Sequence, residues 1–156
     1  MTEYDEWRAE QAVAWLDHVR GLAHDVARLK DKVDVMRALA LPSGIDYTLP
    51  KVSTSPSADA IPNAVARLID SIGDYCAQLE AYVEEAHDAD MRLSSIGDWR
   101  YRDVLIRYYV DGMSWREVGD RVGYVPDHCM RLRDEALPLV FDVMPREWRT
   151  PLPPAL

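Results

Sequence analysis

The stretch SWREVGDRVGYVP, Ser114 to Pro126, decides how this chain is read. Ser114 with Glu117 three residues on is a Ser-x-x-Glu capping box: the hydroxyl accepts from an otherwise orphaned first-turn amide, and the glutamate accepts from the serine amide. The helix so opened, WREVGDRV, lasts barely two turns before Gly123, a residue that closes helices because it enters the left-handed conformation freely. Pro126 then suits the first position of a following helix, where its missing N–H is no loss, and Asp127 places an anion in the first turn, where the helix dipole favours one. Gly119 is costly inside a helix. The short turn makes the two helices cross close to it, so a side chain there is expected to hold them apart. Two such helices have the form of a helix-turn-helix. The same spacing also suits a small three-helix bundle with no role at DNA.

The flanks extend the pattern. Gly97 and Asp98 mark a break and an N-cap, and WRYRDVLIRYYV is expected to be a helix burying Val104, Leu105 and Tyr108 until Asp111 and Gly112 end it. Beyond the motif, Cys129, Leu132 and Ala136 form the buried stripe of a third helix, leaving Asp127, His128, Met130, Arg131, Arg133 and Asp134 outside. Pro138 is expected to end or kink that helix near Leu137. The last residues, MPREWRTPLPPAL, read as an extended proline-rich tail.

Residues 1–98 follow another rhythm. Apolar residues recur at three- and four-residue spacing at Ala12, Trp15, Val19, Leu22, Val26, Leu29, Val33, Met36 and Ala40, a heptad seam. A second seam runs Val65, Leu68, Ile72, Tyr75, Leu79, Tyr82, Ala86, Ala89, Leu93, Ile96. Between them a segment with Pro42, Pro50, Pro56 and Pro62 breaks the helix and can reverse the chain. The expected fold is all-α: an antiparallel, coiled-coil-like helical hairpin over 1–97 (helices about 5–40 and 62–96, loop 41–61), a helix-turn-helix unit over 98–144, and a tail over 145–156. Heptad seams pair between chains as readily as within one, so a homo-oligomer through them is a further expectation.

Charge divides the chain at the same place. The formal net charge is -9. From Trp99 to Thr150, nine arginines and no lysine stand against nine acidic residues, so the whole negative excess lies in residues 1–98. Arginine is the better fork for guanine edges and phosphate. No apolar run approaches the roughly 20 residues needed to span a bilayer, and MTEYDEWRAEQ lacks the basic-then-apolar order of a signal peptide, so no membrane partner and a cytoplasmic location are expected.

Cys76 and Cys129 stand far apart, and His18, His24, His87 and His128 have no ligand-like spacing, so neither a disulfide nor a metal site is expected. Both cysteines read as small apolar residues on buried helix faces. Glu84, Glu85, Asp88 and Asp90 spread around a solvated helix without a convergent histidine, cysteine or phosphate loop; no catalytic residue, cofactor or enzymatic activity is expected.

The run SWREVGDRVGYVPDHCMRLRDEAL, Ser114 to Leu137, resembles region four of bacterial sigma factors, with Glu117, Val118, Gly119, Ala136 and Leu137 at matching positions and YRDVLIRYYVDGMSW similar to the helix that leads into it. With the heptad helices, residues 12 to 143 resemble small phage-encoded transcriptional regulators of the RinA/ArpU type. That resemblance implies a prophage late-gene regulator in the cytoplasm of a bacterial host, binding double-stranded promoter DNA together with host RNA polymerase. Carried over by position, Pro126, Asp127, His128, Met130 and Arg131 would face the major groove. Arg131 would take guanine O6 and N7, and Asp127 would accept from a cytosine amino group. Arg100, Arg102, Arg116, Arg121 and Arg133 are the phosphate-contact candidates. Val125 departs from the family, which has Ser or Thr there; a side-chain cap of about 1 kcal/mol is lost.

Two other readings stand beside this one. A small terminase subunit also joins a helix-turn-helix to oligomerising helices to recognise phage DNA for packaging. Alternatively, the sigma-like fold is a protein-interaction module that reads no DNA, with the acidic residues 1–98 as its partner surface. The charge bears on all three, because non-specific affinity for DNA comes from displaced phosphate counterions, and a neutral motif on an acidic body displaces few.

Overall fold

A computed structural model of the chain describes residues 2–40 and 60–152, which are built of helices with no strand among them. Helix α1 spans Glu3–Ala40, α2 Ala60–Ser94, α3 Trp99–Leu105, α4 Trp115–Val122 and α5 Pro126–Val143; Ile106–Val110 continues α3 as a π turn, and Arg146–Trp148 is a 3-10 turn. The fold is all-α. Of the expected loop 41–61, residues 41–59 lie outside the described residues, and α2 begins at Ala60 with Pro62 in its first turn, where proline is tolerated.

The first helix begins at Glu3, two residues before the expected start at about 5. Thr2 explains this: its hydroxyl accepts from the Asp5 amide at 3.2 Å, and the Asp5 carboxylate accepts from the Thr2 hydroxyl and amide, a capping arrangement that stabilises the first turn. The Thr2 bonds hold the Asp5 carboxyl below its usual range.

The chain forms two compact units, Met1–Asp25 with Val83–Leu156, and Val26–Tyr82. This partition does not follow the boundary at residue 97, because the N-terminal turns of α1 and the C-terminal turns of α2 supply the core on which the C-terminal helices pack. That core joins Ala12, Trp15, Leu16 and Val19 of α1 and Ala89 and Leu93 of α2 to Leu105, Tyr109, Ala136, Val140 and Phe141. Leu16, outside the heptad seam, is fully buried, since α1 here meets more than one neighbour and needs a wider apolar stripe than a two-helix seam. In the second unit Leu29 and Val33 of α1 are buried, and Lys32 lies 4.3 Å from the Tyr75 ring centroid. Leu68, Ile72, Tyr75, Cys76 and Leu79 of α2 are half-buried, whereas Val65 is exposed.

Three expectations for the C-terminal region are corrected. Tyr109, not Tyr108, is the fully buried tyrosine. The π turn over Ile106–Val110 inserts one residue into the helical register, so the position facing the core moves on by one. Of the two outcomes expected at Pro138, ending the helix is overturned: α5 runs on to Val143. An interior proline costs about 3 kcal/mol. Leu137, Val140, Phe141 and Met144, all buried, recover about 1.5–3 kcal/mol each; Arg8 donates to the Pro138 carbonyl at 3.1 Å and so ties α1 to α5. The tail is docked through Thr150 and not extended freely. The Thr150 amide donates to Gln11 Oε1 at 2.6 Å, Arg149 donates to the carbonyls of Asp142 and Met144, and Trp148 packs on the core with His18 at 4.8 Å. Residues 153–156 lie outside the described residues.

Candidate nucleic-acid interface

Local chemistry builds the α4–turn–α5 element. Both bonds of the capping box are made, Ser114 N–H to Glu117 Oε2 at 2.8 Å and Glu117 N–H to Ser114 Oγ at 3.3 Å. The Ser114 amide and hydroxyl hold the Glu117 carboxyl below its usual range. Gly123 closes α4 in the left-handed conformation at φ 80°. The amides of Gly123 and Tyr124 both donate to the Gly119 carbonyl, at 2.9 and 3.1 Å. Gly119 is buried, and a Cβ there would stand 2.5 Å from the Tyr124 carbonyl oxygen. The close approach inferred from sequence therefore exists, but the obstacle is the backbone of the turn itself.

Helix α5 starts at Pro126 with Val125 as an N-cap that offers no side-chain acceptor. Beneath the two helices, Val104 of α3, Val118 of α4 and Cys129 and Leu132 of α5 close a small core. Burial pushes the Cys129 thiol up, so it stays protonated and packs as an apolar group.

The ten site residues fall into distinct settings. Pro126, Asp127 and Arg131 are exposed at the start of α5. Asp127 and Arg131 are four apart and share a face. His128 and Met130 are half-buried, the His128 ring lying edge-on to Tyr124 at 4.8 Å. On α4, Arg116 and Arg121 are exposed; together with Arg131 they make no hydrogen bond or ion pair among the described residues. The other three arginines have partners within the fold, Arg100 at its surface. Arg100 pairs with the capping carboxylate of Asp98 at 2.8 Å, and Arg102 donates to the Ile96 carbonyl at 3.3 Å. Arg133, expected outside, is half-buried: it donates to the Tyr109 hydroxyl at 3.0 Å and meets Asp134 at 2.6 Å. The inward turn follows from Tyr109, whose buried hydroxyl needs a polar partner.

Sequence reasoning missed the group that holds the element in place. The Tyr108 ring stacks on Trp115, the first residue of α4, with centroids 3.8 Å apart and planes 10° apart, and Arg20 of α1 covers the same tyrosine. Aromatic residues at 108 and 115 are visible in the sequence; the cation comes from 88 residues away, and no local pattern marks it.

Among the described residues no cluster of His, Cys, Asp or Glu is arranged to hold a metal ion, and no helix is long and apolar enough to cross a membrane. Compared with known proteins, the chain matches no family model, no curated protein and no solved structure.

Proposed function

We propose that this chain is a sequence-specific DNA-binding regulator of phage late genes that acts with the host RNA polymerase. The observation that carries the reading is the exposed face of α5: Asp127 and Arg131 stand exposed one turn apart at its start, and Arg116 and Arg121 stand exposed on α4, which packs against it. Arginine and aspartate are residue types that discriminate base edges in the major groove, and exposed arginines on the preceding helix suit phosphate contacts that set register. The likeness of Ser114–Leu137 to sigma region four supports the promoter context.

The electrostatics define how the reading works. Nine arginines balanced by nine acids from Trp99 to Thr150, on a chain of net charge -9, give a weak counterion-release contribution. Binding by the isolated protein is then weak, and the polymerase supplies the rest.

Footprinting across the surrounding phage genome, with and without host polymerase, tests this. A discrete protected site that appears or sharpens with polymerase, and is lost in Arg131→Ala, is the expected result. No protection at low or high salt in either condition overturns the reading. Protection by ring-shaped oligomers without polymerase favours DNA packaging, and unaltered transcription by Arg131→Ala with polymerase binding retained favours a protein-interaction module.

A further inference from the structure

We infer that the N-terminal turns of α1 and the middle of α5 form a docking groove for a basic, amphipathic helical segment of a partner protein. Two hollows of about 410 and 490 Å3 meet at Ala9, one lined by Glu6, Ala9, Glu10 and Val13, the other by Asp5, Ala9, Asp134, Glu135, Leu137 and Pro138. Both belong to one compact unit. Their volumes fall in the range of clefts that hold ligands, about 300–1,000 Å3.

The lining has two chemistries in a fixed arrangement. Ala9 of α1 with Leu137 and Pro138 of α5 give an apolar floor between two helices, and Val13 continues it along α1, a shape that takes a further helix by its hydrophobic stripe. Carboxylates of Asp5, Glu6, Glu10, Asp134 and Glu135 form the rim. Asp5 is bonded to Thr2, Asp134 pairs with Arg133 at 2.6 Å and Glu135 accepts from the Tyr101 hydroxyl at 3.1 Å, whereas the exposed carboxylates of Glu6 and Glu10 make no hydrogen bond or ion pair among the described residues. Neither nearby arginine pairs with Glu6 or Glu10: Arg8 is turned to the Pro138 carbonyl and the Asp142 carboxylate and lies over the Tyr4 and Phe141 rings, and Arg133 holds the Tyr109 hydroxyl and Asp134. Residues 1–25 carry six carboxylates against two arginines.

This charge selects the occupant. Nucleic acid phosphates are repelled, whereas lysines and arginines flanking an apolar stripe are steered in and meet the rim as the stripe meets the floor. The groove does not require α5 to read DNA. It accounts for acidic residues beside a DNA-reading element: they serve a protein partner.

The test uses the full-length protein and a fluorescein-labelled helical peptide with a leucine stripe and lysines on its remaining faces, followed by anisotropy at about 0.1 M salt, where charges beyond about 10 Å are screened. A second peptide carries glutamate in place of every lysine. The expected result is saturable binding of the lysine peptide alone, amide shifts at Ala9, Val13 and Leu137 by NMR, and affinity at least about tenfold lower in Glu6→Lys/Glu10→Lys, as losing rim charges weakens steering. Ala9→Arg fills and recharges the junction and is expected to abolish binding. The double variant changes only exposed residues, so it keeps the test decisive if Ala9→Arg fails to fold. No binding, shifts confined to other acidic surfaces, or equal affinity in the double variant overturns the proposal.

Discussion

Arg20 of α1 covers the Tyr108 ring, its guanidinium carbon 3.8 Å from the ring centroid, and one of its terminal nitrogens donates to the carbonyls of both Tyr108 and Met113. One side chain thus satisfies carbonyls left open where the π turn ends, and it backs the Tyr108–Trp115 stack on which α4 begins. Arg20→Leu keeps much of the bulk but removes the charge-assisted bonds and the cation–π contact, each worth about 1–3 kcal/mol. A loss of about 2–4 kcal/mol is expected in urea denaturation, with Arg20→Lys recovering less than half because a single ammonium does not form the planar contact.

Arg131 and Arg133 are two residues apart and separate cleanly by role. Arg131→Ala removes an exposed side chain and is expected to leave stability within about 0.5 kcal/mol of the parent protein. Arg133→Ala strands the Tyr109 hydroxyl in the core and is expected to cost about 1–3 kcal/mol. Burial pushes the Tyr109 phenol up, so the hydroxyl remains a neutral group in need of that partner. Thermal melts of both variants check the contrast; equal losses would show that Arg133 is not held by Tyr109.

Gly119→Ala and Gly21→Ala are predicted to act in opposite directions. The Cβ at 119 would stand 2.5 Å from the Tyr124 carbonyl oxygen, and the backbone of the turn must shift, at about 1–3 kcal/mol. Around Gly21, inside α1, nothing lies within 4 Å of a Cβ, so alanine gains about 0.5–1 kcal/mol by lowering the entropy of the unfolded chain and favouring helix. Urea midpoints of the two variants measure both signs.

Val125→Ser should stabilise α5. Val125 already has the extended N-cap conformation, φ -68° and ψ 149°, and is exposed; a hydroxyl there accepts from a first-turn amide and contributes about 1 kcal/mol. A melting temperature at or below that of the parent protein would show that the turn prevents the bond.

Acid should weaken the caps in a defined order of sign. The Glu117 carboxyl lies below its ordinary value of 4.5 because it accepts from Ser114, and the Asp98 carboxyl lies below 3.8 because it accepts from Arg100. A carboxyl depressed in the folded state contributes stability that is fully present above its unfolded value and is lost as pH falls through the folded one. Between neutrality and pH 4.5 these contributions stay constant, and they decline below it. Glu117→Gln, followed by thermal melts from neutral to acid pH, is expected to show a shallower acid decline than the parent protein.

The elements legible in the sequence are those whose partners lie within a few residues. The Ser114–Glu117 box, the Gly123 turn, the Pro126 start, the Asp98 cap and the stripe Cys129, Leu132, Ala136 follow from bonds and periodicities that close inside one or two helical turns, so a short stretch of chain determines them. The all-α class follows likewise. The positions left open depend on distant groups. Which of Tyr108 and Tyr109 is buried rests on one extra residue in a π turn that the core imposes. Whether Pro138 ends α5 rests on a core that rewards continuation, because Leu137, Val140, Phe141 and Met144 are buried only if the helix runs on. Whether the tail docks rests on Gln11, 139 residues from Thr150. Arg133 shows the same limit: sequence places an arginine on a helix, but only the packed tyrosine beside it decides whether that charge faces solvent. Local backbone chemistry is written in neighbouring residues, whereas burial and charge pairing between distant segments exist only once the chain has folded.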